Sequence, residues 1–156
     1  MSTQIEDFVY VNLQDIDPNF STLPSNNYTL QVQKAELKEF TYRNGSKAGT
    51  QGTRVAFQFV VVDDADYSGR KVYESMFPST FSFKALRRLA DATGTPQDAG
   101  EPLADWLTKL ANEQVKFNIF VDQVEDLDKD GNARSTDFKG NPAKVNRINW
   151  KEVRPA

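Results

Sequence analysis

The chain has 156 residues, with 19 Lys and Arg against 22 Asp and Glu, a formal net charge of −3. It contains no Cys and no His, which excludes disulfides, thiolate metal sites and every nucleophilic triad built on Cys or His. The expectation is one small domain that binds a ligand, with no cofactor and no catalysis. No apolar run approaches the ~18 residues that a membrane-spanning helix requires. The opening residues, among them Ser2, Thr3, Gln4, Glu6 and Asp7, lack the basic and apolar regions of a signal peptide. Together with the missing Cys, this suits a reducing cytosol, though a Cys-free chain could also be exported.

In chain order, Val9, Val11 and Leu13 suggest a short edge strand, followed by turn signals at Pro18, Pro24 and Ser25-Asn26-Asn27. The first strong strand is 28–39. Tyr28, Leu30 and Val32 share one face, and the pattern then slips by one to Ala35 and Leu37, which is the mark of a β-bulge. A polar loop at 41–52 leads to a strand at 53–63 with Val55, Phe57, Phe59 and Val61 facing inward. A third strand, 70–77, sets Val72, Glu74 and Met76 on one face and Lys71, Tyr73, Ser75 and Phe77 on the other.

The period then becomes helical. Phe83, Leu86, Leu89 and Ala90 form an apolar stripe, with Ser79 or Ser82 as the start and Gly94 as the stop. A second helix, 102–111, aligns Leu103, Trp106, Leu107 and Leu110, with Pro102 at its first position. Strands return at 115–121 and 143–153, joined by a polar loop over 123–142. Five strands with a helical insertion between the third and fourth is the order of a mainly β, OB-fold-like β-barrel. An open α+β sheet built from the same elements is the other reading. The domain is assigned to 28–156, with 1–27 as a partly ordered extension.

Several segments resemble a family of small early proteins of tailed bacteriophages. They are Phe20-Ser-Thr-Leu-Pro24, Tyr28-Thr-Leu-Gln-Val32, Val55-Ala-Phe-Gln-Phe-Val-Val-Val62, Tyr67-Ser-Gly-Arg-Lys71 and Leu86-Arg-Arg-Leu-Ala-Asp-Ala-Thr-Gly94. The resemblance spans roughly residues 20–153. It implies an OB-fold single-stranded-DNA-binding protein of phage replication or recombination, with phage replication or recombination proteins as further partners. Two features depart from the pattern. The turn before Tyr28 has Ser-Asn-Asn in place of Gly, and Trp150-Lys-Glu-Val-Arg-Pro-Ala156 is not the acidic tail that many such proteins use to recruit enzymes. A protein–protein adaptor built on the same barrel is the alternative function.

Charge patterning points the same way. Residues 1–33 hold four acids and no cation, whereas 139–156 hold five cations and one acid. Single-strand binders need cations along the phosphate backbone and aromatic faces beneath the bases. The 41–52 loop and its flank offer Tyr42, Arg43, Lys47 and Arg54. On the third strand, Lys71 and Tyr73 join them if that face looks outward, while Phe77 is read as core. Lys116 and Phe120 lie opposite the apolar face of their strand, where Phe120 either stacks on a ligand or packs beneath a helix. Lys139, Lys144, Arg147 and Lys151 complete the nucleic-acid set. Lys84, Arg87 and Arg88 read as the solvated face of a helix, and Trp150 as core. Asp126, Asp128 and Asp130, followed by Gly131, imitate the start of an EF-hand calcium loop. Ala133 and Asp137 fit its eighth and twelfth positions poorly, and a polar hairpin turn explains the same residues.

Overall fold

A computed structural model describes residues 22–136 and 139–156. The edge strand expected at 8–13 lies outside them. Seven elements follow in chain order: β1 (Asn26–Thr41), β2 (Gln51–Val62), β3 (Lys71–Met76), α1 (Thr80–Thr93), α2 (Leu103–Asn112), β4 (Lys116–Glu125) and β5 (Lys144–Pro155). The five strands form one antiparallel sheet in the order β3-β2-β1-β4-β5. No helix among the described residues is long and apolar enough to cross a membrane.

The bulge in β1 organises this sheet. Val32 pairs with Phe59 and Lys34 with Gln58, so Gln33 is the extra residue. The inward set therefore moves from Tyr28, Leu30 and Val32 to Ala35, all buried, as the slip in the sequence anticipates, whereas Leu37, expected beside Ala35, is 37% exposed. The first half of β1 pairs with β4 on one side and with β2 on the other. Beyond the bulge, β1 and β2 continue together as a hairpin that outruns β4. Leu23 is only 1% exposed, and its backbone is held on both sides by the Asn146 side chain, at 2.9 and 2.8 Å. The domain thus begins before residue 28, and 22–27 belong to it.

The inward faces of β2 and β4 carry Val55, Phe57, Phe59 and Val61, and Phe117, Ile119 and Val121, all buried. Phe57, Phe59, Phe117 and Trp150 form an aromatic cluster with ring centroids 5.0–6.3 Å apart. Helix α2 lies against β1, and the indole of Trp106 donates to the carbonyl of Thr95 at 2.7 Å. Pro102 sits at the N-cap, one position before its expected place. Helix α1 lies against β5, capped by Ser79, with Gly94 in the left-handed conformation at its end. Its buried face is Ser82, Ala85, Leu86, Leu89 and Ala90, and Phe83 is 61% exposed. This corrects the apolar stripe expected through Phe83. The Ser82 hydroxyl donates to the carbonyl of Phe77 at 2.7 Å and fixes the rotation of the helix, and small Ser82 and Ala85 let it settle close.

The expected barrel is not closed by hydrogen bonding, since β3 and β5 form no ladder among the described residues. A register shift in the β4–β5 pairing lies where β5 passes Trp150, and an irregular strand cannot present an evenly spaced row of donors and acceptors. Side chains hold this seam. Trp150 Nε1 donates to Glu74 Oε2 at 2.9 Å across it. Burial pushes the Glu74 carboxyl above its ordinary pKa, opposed by the Trp150 indole, the Ser75 amide and the Arg147 charge. A raised carboxyl pKa means the folded state holds its proton more tightly. Stability from this group is full below the ordinary carboxylate pKa and is lost as pH rises through the folded value. Glu74→Gln keeps an acceptor for the indole without the charge. The expected result is a melting temperature roughly 2–4 °C above wild type near neutral pH, converging as pH falls toward ~4. Equal melting temperatures at both ends of the range would refute this.

Candidate nucleic-acid interface

The loop after β1 folds back through Tyr42 N–H to the Thr50 carbonyl at 2.9 Å and Gly49 N–H to the Tyr42 carbonyl at 2.8 Å. These bonds carry the pairing past the formal end of β1 and hold Tyr42 on the same side as Phe40. Gly52 lies opposite Phe40 in the ladder. A Cβ at Gly52 would stand 2.8 Å from Tyr42 Cε2 and 3.1 Å from Phe40 Cε1. Glycine is therefore required there so that both rings can lie against the strand.

Three rings run in a row across this end of the sheet. Phe40 meets Tyr42 at 4.6 Å and Phe77 at 4.9 Å between centroids, both edge-on. Lys47 Nζ sits over the Tyr42 ring at 5.5 Å. Arg43 and Arg54 line the same concavity of about 700 Å³, with Thr41, Asn44 and Pro78, and no carboxylate is among the lining residues. Arg54 Nη1 donates to Ser75 Oγ at 2.9 Å, which holds its guanidinium along β3.

Phe77 is 51% exposed and belongs to this row, not to the core. It follows the last paired residue of β3 on the outward side, where Phe40 is its neighbour. Sequence reasoning also passed over Phe40. The available signal was its two-residue spacing to Tyr42 with a glycine across the hairpin. Tyr73, 58% exposed, and Lys71 continue outward along β3 from Ser75. From Phe77 to Lys71 the outer face runs roughly 20 Å.

The other expected cations lie elsewhere. Lys116 is 3.8 Å from Asp63, at the opposite end of β2. Phe120 is half-buried on the outer face of β4, opposite Asn27 and Asn149. Lys144 stands opposite Glu125 and Arg147 opposite Asp122 in the β4–β5 ladder. Lys139 is exposed in the loop between β4 and β5. Lys151 lies against α1, near Lys84 and Arg88. Arg43 and Arg54 line one concavity and Lys151 lines another.

The acidic loop is a hairpin turn. Leu127 bridges to Ala133, and Gly131 takes a positive φ of 84°. The Asp128 carboxylate accepts from the amides of Asp130 and Asn132, each at 2.9 Å, so it serves its own turn. Among the described residues, Asp126, Asp128 and Asp130 do not form a group able to hold a metal ion. Asp137, the twelfth position of the calcium pattern, lies outside them. No family model, no curated protein and no solved structure matches this chain.

Proposed function

We propose that this is an OB-like domain that binds single-stranded DNA, without strong sequence preference, in a phage replication or recombination setting. The strand order β3-β2-β1-β4-β5, the bulged β1 shared between both halves and the helices between β3 and β4 all fit that fold. The observation that carries the function is the row Tyr42–Phe40–Phe77 set among Arg43, Lys47 and Arg54. Aromatic faces accept any base, and guanidinium groups beside them accept phosphate, a combination that binds a strand without reading it. Tyr73 and Lys71 extend the track along β3. Binding, with no catalytic step, is the activity.

The test is a titration of fluorescent oligo(dT) at two salt concentrations, with duplex DNA and RNA alongside. The expected result is oligo(dT) binding that weakens with salt. A slope near −0.7 per neutralised phosphate would count the cations engaged. Absence of oligo(dT) binding at low salt would overturn the reading. Capture of a protein partner under those same conditions would favour the adaptor alternative.

A further inference from the structure

We infer that the strand leaving the aromatic row crosses Pro78 and sets its phosphates in a second basic cleft, between α1 and β5. This inference rests on the single-strand-binding reading and extends it. The cleft measures about 310 Å³ and is lined by Thr80, Phe81, Lys84, Arg88, Trp150 and Lys151, together with Ala85. Three cations from two elements converge there, and no carboxylate lines it.

The local chemistry is specific to this side of α1. Lys84 and Arg88 are four residues apart and so share one helix face. Arg87, next to Arg88, turns the other way and pairs with Asp91 at 3.1 Å. Among the described residues Lys84, Arg88 and Lys151 have no ion-pair partner, and all three are exposed. The first turn of α1 carries no acid, so the positive end of the helix at Thr80, capped only by the neutral Ser79 hydroxyl, adds to the field beside them. Phe81 stands 58% exposed at the rim and offers a further ring for a base. The two concavities are joined by the shortest of links. Phe77 and Pro78 line the first, and Thr80 and Phe81 line the second.

The experiment compares oligo(dT) of about 6 and about 16 nucleotides, the range an OB domain covers, by fluorescence anisotropy on the full chain. The variant is Lys84→Ala/Arg88→Ala/Lys151→Ala. The expected result is at least a tenfold loss for the long oligonucleotide, with its salt slope reduced by about 2, and no change for the short one. The three side chains are exposed, so a melting temperature within ~2 °C of wild type should accompany it. Unchanged affinity and slope for the long oligonucleotide would overturn the inference and leave the aromatic row standing. An equal loss for both lengths would also overturn it, because the cleft would then not be an extension. Wild-type protein that binds neither length would remove the single-strand reading itself, and the cleft with it.

Discussion

Phe40→Ala/Tyr42→Ala is expected to lose oligo(dT) affinity by about 2–4 kcal/mol, roughly 30- to 1000-fold. Base–aromatic stacking contributes about 1–3 kcal/mol per base, and this variant removes two of the three rings in the row. The central ring matters most. Phe40 touches both Tyr42 and Phe77, so its removal also frees Phe77 from its edge-on contact. Lys47 loses the ring beneath it at the same time. Stability should change little, because the rings lie on the outer surface of the hairpin and the buried core is on the other face. Anisotropy titration with parallel thermal melts separates the two effects. Wild-type affinity in the double variant would show that the rings only shield the Gly52 backbone. Phe40→Tyr, which keeps the face, should retain most of the binding.

Trp150→Ala should destabilise the domain by about 3–5 kcal/mol, the range for deleting a buried aromatic side chain. The indole packs against Phe57, Phe59 and Phe117, and it is the polar tie across the β3–β5 seam. Its loss leaves a cavity among three rings and removes a donor from the Glu74 carboxylate. Trp150→Phe separates these contributions, because it keeps most of the packing and loses only the hydrogen bond. That variant should cost less, and Glu74→Gln should relieve most of what it costs at neutral pH. Chemical denaturation of the four proteins measures the coupling. Additive effects of Trp150→Phe and Glu74→Gln would mean that the two groups do not act together.

The seam shows why part of the fold was legible in the sequence and part was not. Alternation in β2 and β4 is unambiguous, and those strands bury the residues it named. The slip at Val32 marked the bulge because a period of two cannot absorb an extra residue silently. Gly94 marked the end of α1 through the left-handed turn it permits, and of the two serines offered for the start, Ser79 and Ser82, Ser79 supplies the capping oxygen. Closure between β3 and β5 has no such local signature. Whether the seam closes depends on residues 76 apart in sequence, Glu74 and Trp150, and on an irregularity in β5 at Trp150 that alternation does not announce.

The proposed binding surface divides along the same line. Sequence alone located the hairpin cluster of Tyr42, Arg43, Lys47 and Arg54, because those residues lie in one short loop and the strand that follows it. It could not orient Phe77 or Phe83, since a single apolar residue at the end of a strand or the edge of a helix fits either face. The Ser82–Phe77 hydrogen bond and the ring of Phe40 decided those orientations. The Arg87–Asp91 pair is local to α1, since the two residues are one helical turn apart. The meeting of Lys84 and Arg88 with Lys151 followed only once α1 lay against β5. Local chemistry thus determined the elements, their ends and one cluster of cations and rings. The convergence of distant cations into a second cleft, and the open seam bridged by Trp150, were decided by long-range packing.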